Sequence, residues 1–403
     1  MRSLYLATLA LIIGLFCTPL SAQFQVIPSP VTQELQDVYF LDATTGYIVG
    51  DSGLIMKSET GGLTWTIQHG NDTMRFNRIR FFDQNHGLAV GTDLMRTTDG
   101  GNTWTQLNLG NDFYADIAII GPETCLITGF PNSVLRSTDK GATFSTLVSS
   151  TPGQEFGLLS MVDSLVGYAC YFGSTVTNEV VKTTDGGVSW TLLEDTTFVN
   201  SSNLEALNFV SEGVGFQGGW YTGHLALTTD SANTWSTVRT TSYPEINDFH
   251  ISADMPNAFY ACGWNNLILK SVDGGLNWEG LYTGQDTFHM YLGIHFIDEF
   301  TGWVVGLGGM ILKTTNGGGV GVEEEVHRDL VKVFPNPAQD QIFLEYPSEL
   351  KVRTVELYDP HGRLVRSFAP ASKQLLLEGI SVGIYFLEIQ SSQGRSGIKL
   401  LVE

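Results

Sequence analysis

Cysteine is scarce, four in 403 residues. Cys17 lies in an apolar leader, which leaves Cys125, Cys170 and Cys262. Three is odd, and none has zinc-type spacing, so a disulfide framework and a cysteine-based metal site are both disfavoured. The three are expected as buried thiols in strands, where cysteine behaves as a small hydrophobe. Positive charge is also short: 21 Lys+Arg face 42 Asp+Glu, a net charge of −21. The deficit is concentrated, with 11 Lys+Arg against 30 Asp+Glu in residues 23–322 and 9 against 12 in residues 323–403. An acidic body argues against nucleic acid and anionic lipid as partners. After the first 22 residues no apolar run reaches the ~18 residues of a membrane-spanning helix. The chain also lacks G-x-S-x-G, H-E-x-x-H and paired metal-ligand motifs, so no residue is assigned to catalysis, a metal or a cofactor.

What is present begins with a leader. Arg2, the apolar stretch Leu4–Phe16 and the small residues before Ala22 read as a secretory signal over 1–22. Bulky Phe16 makes Cys17 a poor lipoprotein cysteine.

Glycine is abundant (45) and aromatics make up 11%, a composition suited to short strands and tight turns. One short pattern recurs: "KSETGGLTW" (57–65), "RTTDGGNTW" (96–104), "RSTDKGATF" (136–144), "KTTDGGVSW" (182–190), "LTTDSANTW" (227–235), "KSVDGGLNW" (270–278) and "KTTNGGG" (313–319). The closing aromatics Trp65, Trp104, Phe144, Trp190, Trp235 and Trp278 are spaced by 39, 40, 46, 45 and 43 residues. Around each box run three apolar segments and a fourth after the aromatic, the signature of a four-stranded propeller blade. Seven copies predict seven blades. The seventh lacks a fourth strand, and "FQVI" (24–27) stands 14 residues before Val38 just as Trp65 stands 14 before Ile79. The N-terminal strand is therefore expected to complete blade seven and close the ring.

The recurring acid is Asp99, Asp139, Asp185, Asp230 and Asp273, replaced by Thr60 in box one and Asn316 in box seven; Ala232 replaces glycine in box five. A catalytic acid need occur once, so an acid in most units reads as scaffold: it accepts from turn amides while the aromatic drops between blades.

These boxes resemble the Asp-boxes of sialidases and sortilins, and the longer unit is similar to the photosystem II assembly-factor propellers, over residues 24–319. The resemblance implies a binding scaffold for assembly, within a propeller domain at 23–319. After a linker at 320–330, "PNP" (335–337), "LYDPHGR" (357–363), "LEGISVGIYFLEI" (377–389) and the final "KLLVE" resemble the C-terminal sorting domain of type IX secretion in Bacteroidetes. That resemblance implies a small β-sandwich at 331–403, the secretion machinery as its partner, and delivery to the cell surface or beyond.

Ligand contacts are expected where the repeat is broken. Alternate positions of the first strands predict a channel wall of Tyr39, Arg80, Ala118, Ser160, Asn208, His250 and His295. Arg75, Arg78 and Arg80 form a local basic cluster, and Trp220, Tyr221 and Trp264 are irregular aromatics able to stack on sugar or peptide. The expected function is an exported, non-catalytic scaffold for an unknown protein or glycan. The alternative is a glycoside hydrolase, since Asp-box propellers include sialidases and xyloglucanases. A sialidase needs an arginine cluster for its substrate's carboxylate, and the propeller holds six arginines, of which Arg96 and Arg136 open boxes.

Overall fold

The computed structural model describes residues 24–402 apart from 111–112, 131–132, 150–153, 174–177, 194–203, 220–223, 241–244, 252–254, 256–257, 282, 284, 286–287, 320–330, 348–349, 360–363, 370–371 and 392–393. The leader at 1–22, the linker at 320–330, and Trp220 and Tyr221 lie outside the described residues. The chain divides into two compact units, one up to Val320 and one from Gly321.

The first unit is a seven-bladed propeller of four-stranded antiparallel sheets. The first strands are Leu35–Phe40, Phe76–Phe81, Phe113–Ile119, Gln154–Met161, Leu204–Phe209, Ile246–His250 and Tyr291–Phe296. Each touches the next, and the seventh touches the first, so they ring a central channel. Blade seven takes its outer strand from the N-terminus: Gln25 pairs with Lys313 and Val26 with Leu312. Phe24, 2% exposed, occupies the box-aromatic place and packs with Tyr260 and Phe296. Closure in this way leaves only short outer edges.

The box works between blades. Thr97 Oγ1 donates to Asp99 at 2.9 Å, the amide of Thr103 donates to the same carboxylate at 2.9 Å, and Thr103 Oγ1 adds a bond at 2.6 Å. Asp139, Asp185, Asp230 and Asp273 repeat this set. In box one Thr60 Oγ1 takes the amide of Thr64, a shorter substitute; in box seven Asn316 accepts from Thr314 Oγ1. The turn thus shaped sits on a buried side chain from the second strand of the preceding blade. Tyr47 donates to Gly100 O at 2.8 Å, Tyr260 to Gly317 O at 3.3 Å and Trp303 Nε1 to Gly61 O at 3.2 Å. A Cβ on Gly62 would collide with the Trp303 ring, which is why the second turn position is small. Box aromatics close the layer from outside: Trp65, Trp235 and Trp278 are buried, and Trp104, Phe144 and Trp190 half-buried.

The first turn position has φ near +70°, a region costly for residues with a Cβ. Box five holds Ser231 there at φ 64° where box four has Gly186 at φ 73°. Ser231→Gly is therefore expected to raise stability by about 1 kcal/mol, read as an increase in the thermal midpoint; a decrease would contradict the strain.

The second unit is a small sandwich of a three-stranded sheet (Lys332–Phe334, Gln341–Glu345, Gln374–Leu376) and a four-stranded sheet (Leu364–Phe368, Val352–Tyr358, Gly383–Ser391, Gly394–Val402). Ile342, Leu344, Val355, Leu357, Leu387 and Leu400 form its core.

Candidate functional site

Each inner strand carries a β-bulge in its first half. In blade one Leu35 pairs with Gly50 and Asp37 with Val49, leaving Gln36 unpaired. The same shift falls in all seven blades. A bulge inserts a residue and re-aims side chains. Here the inserted positions, Gln36, Asn77, Ala115, Gly157, Glu205, Asn247 and Leu292, turn into one mouth of the channel, a cavity of about 310 Å³ that Arg75 and Phe113 also line. The repeated glycine ending the second strand belongs to this device: a Cβ on Gly91 or Gly263 would run into the carbonyl of Arg75 or Glu245.

The next position inward holds charge. Asp37, Asp116 and Asp248 each accept the inner-strand amide of the following blade: Ile79 N at 2.9 Å, Leu159 N at 3.0 Å and Ile294 N at 3.0 Å. Arg78, from blade two, lies across the channel. Its Nε is 3.7 Å from Asp116 on blade three and its Nη2 3.6 Å from Asp248 on blade six. Arg80 bonds Asp37 at 2.5 Å and its own strand at Ile79 O. Arg78 lines both the mouth and a second cavity of about 430 Å³ on the other side, so its guanidinium divides the channel. Burial pushes the Asp248 carboxyl up to about 6, against the pull of Arg78, and raises Asp116 for the same reason.

The second cavity is walled by the residues the alternation predicts. Tyr39, Arg80, Ala118, Ser160 and Asn208 line it. His250 and His295 sit at the matching positions in an aromatic group: Tyr39 and His295 lie 5.0 Å apart between ring centres, as do His250 and His295, with Arg80 over Tyr39 at 5.5 Å. Burial lowers both histidines, His295 to about 3 and His250 well below its usual value, so both are neutral at physiological pH. Trp264 stands elsewhere, on the second hairpin of blade six, against Phe288 at 4.9 Å. Among the described residues no three His, Cys, Asp or Glu side chains converge as metal ligands. Cys125, Cys170 and Cys262 are free and buried.

The three arginines do not form an open basic patch. Arg75 Nε is 3.2 Å from Asp51, and Arg78 and Arg80 are neutralised as described; the partners come from strands 24 to 170 residues away in sequence. Sequence alternation missed the mouth residues because the bulge breaks it. The recurrent V-G ending of the second strand was the available signal.

Two families of aspartate titrate in opposite senses. Asp248 is raised when folded, so it opposes folding above about pH 6 and ceases to do so below about 4, where the unfolded group is also protonated. The box acids are lowered by hydroxyl and amide donors, Asp139 to about 2, so their contribution is present above about 4 and lost as the pH falls toward 2. The buried histidines His250 and His295 act against Asp248, because below about pH 6.5 the unfolded imidazoles take up protons and the folded ones do not, so the thermal midpoint of the propeller is expected to fall on acidification from about pH 7, and to fall more steeply in Asp248→Asn. A fall no steeper in Asp248→Asn than in the parent would contradict the buried position of Asp248.

Comparison with known proteins agrees with this architecture. Residues 17–154 match the family model described as photosynthesis system II assembly factor YCF48, and residues 332–403 match the secretion system C-terminal sorting domain. The chain couples a Ycf48-like propeller to a secretion sorting domain. The photosystem II assembly lipoprotein Ycf48 of Synechococcus sp. (strain CC9902) is 23% identical over 291 residues, 69% of this chain and 84% of that protein. A structure of YCF48 bound to D1 peptide superposes with a TM-score of 0.60 at 23% identity, over 73% of this chain and 97% of the other. A family 74 xyloglucanase from Xanthomonas campestris shares the fold at 13% identity and TM-score 0.60, over 93% of this chain and 60% of the enzyme. The sorting domain marks the Ycf48-like propeller for secretion to the cell surface.

Proposed function

We propose that this protein is a non-catalytic scaffold of the cell surface, whose propeller holds an extended polypeptide segment at the bulge-lined mouth of its channel. The observation that carries this reading is the engagement of the channel's charges with one another. Asp37, Asp116 and Asp248 are tied to neighbouring-blade amides and to Arg78 and Arg80, a role that fixes blades together. Asp116 and Asp248 also line the far cavity, but each is held by a backbone amide and by Arg78, whereas a general acid must pass its proton to a substrate. The mouth is preformed and lined by apolar side chains with a few placed polar groups, as binding sites tend to be. The likeness to a protein that binds a peptide on the same fold supports a polypeptide as the occupant.

The test uses the full chain as bait on cell-envelope extracts, with Ala115→Trp to fill the mouth and Ala118→Trp to fill the far cavity. Capture lost with the first and kept with the second supports the mouth; the reverse overturns it. A panel of fluorogenic glycosides on the same protein tests the hydrolase reading, which the raised carboxyls of Asp116 and Asp248 favour. Turnover abolished by Asp248→Asn would overturn the scaffold.

A further inference from the structure

The charges of the mouth do not cancel. Its two arginines are each held by aspartate: Arg75 by Asp51 and Arg78 by Asp116 and Asp248. Its glutamates are not so held. Glu205 occupies the bulge position of blade five and lines the cavity. Glu245 precedes the inner strand of blade six, and its carbonyl accepts the amide of Trp264 at 3.1 Å. Among the described residues neither carboxylate has a cation within ion-pair distance, and Glu245 Oε2 is fully buried with no hydrogen-bond partner. Glu34 adds a further acid on blade one, its carboxylate accepting from Gln36 Nε2 at 3.5 Å.

A buried acceptor without a donor is a destabilising feature that a bound donor would relieve. Burial raises both glutamates, against the pull of Arg78 on Glu205, and Glu205 raises Glu245 further. Trp264, whose amide meets Glu245, packs its ring against Phe288, and Phe288 is 51% exposed. Unpaired carboxylates next to aromatic faces suit a cationic side chain, through charge-assisted hydrogen bonds and cation–π attraction. The strongly acidic body would steer such a partner toward it.

We infer that the mouth is selective for positive charge, with Glu205 and Glu245 receiving an arginine or lysine side chain of the bound polypeptide against the Trp264–Phe288 wall. This rests on the mouth being a polypeptide site and adds the chemistry of what enters it.

The test is fluorescence anisotropy on the full chain with three labelled Ser-Gly peptides that differ only in two central residues, Arg-Arg, Gln-Gln or Glu-Glu. The Arg-Arg peptide is expected to bind at least about tenfold more tightly than Gln-Gln. That preference should disappear in Glu205→Gln/Glu245→Gln, persist in Arg75→Gln, and weaken as the pH falls toward about 4, where the carboxylates protonate. Melting profiles of the variants matching the parent exclude a folding effect. Tightest binding of the Glu-Glu peptide, or an Arg-Arg preference unchanged in the double variant, overturns the inference. Equal binding of all three also overturns it while leaving the mouth as a polypeptide site. Binding of none overturns it too, and the scaffold reading is then judged by the Ala115→Trp capture.

Discussion

Arg78→Met is expected to destabilise the propeller by about 3–5 kcal/mol near pH 7, the range for removing one partner of a buried charge cluster. The guanidinium is the only cation placed between Asp116 and Asp248 among the described residues, and both aspartates are largely buried. Without it each carboxyl rises further. The added penalty is present above the raised folded values and absent below about 4, where the unfolded carboxyls are also protonated. The loss should therefore shrink steeply on acidification. Adding Asp116→Asn and Asp248→Asn to Arg78→Met should recover most of the stability at pH 7, since an amide oxygen can still accept from Leu159 and Ile294. Denaturant unfolding at two pH values reads both effects. An Arg78→Met loss independent of pH would mean that Arg78 acts by packing alone.

Trp303→Ala should cost about 4 kcal/mol, within the range for a buried aromatic. Trp303 is fully buried, stacks on Phe40 with ring centres 3.4 Å apart and donates to Gly61 O. Phe40 and Gly61 belong to blade one and Trp303 to blade seven, so the substitution empties the seam where the ring closes. A milder loss is expected from Leu88→Ala, which leaves a smaller cavity at the equivalent place between blades two and three. Thermal unfolding compares the pair. Equal losses would show that the seam is no more vulnerable than any other inter-blade layer.

Most of the architecture could be read from residues because it repeats. The box aromatics give the blade count. The missing strand of blade seven and the spacing from Phe24 to Val38 give the closure, which the pairing of Gln25 with Lys313 bears out. Strand alternation correctly put Tyr39, Arg80, Ser160 and Asn208 on the wall of a cavity. The mouth was not legible, because a one-residue bulge changes which side chains point inward. Gln36, Asn77 and Glu205 are therefore out of phase with the simple alternation. The pairing of Arg78 was not legible either: Asp116 and Asp248 meet it only when seven blades close into a ring, and no local pattern records that geometry. Arg75, Arg78 and Arg80 thus read as a basic cluster in sequence and as parts of neutralised networks in three dimensions.

The most direct test is site-specific cross-linking in cells that secrete the protein, with a photoreactive amino acid placed at Asn77 in the mouth or at Asn208 in the far cavity. A discrete cross-linked polypeptide at the cell surface is expected from position 77 and none from position 208. Cross-linking from position 208 alone, or from neither while the purified chain turns over a glycoside, would contradict a polypeptide scaffold that works through its bulge-lined mouth.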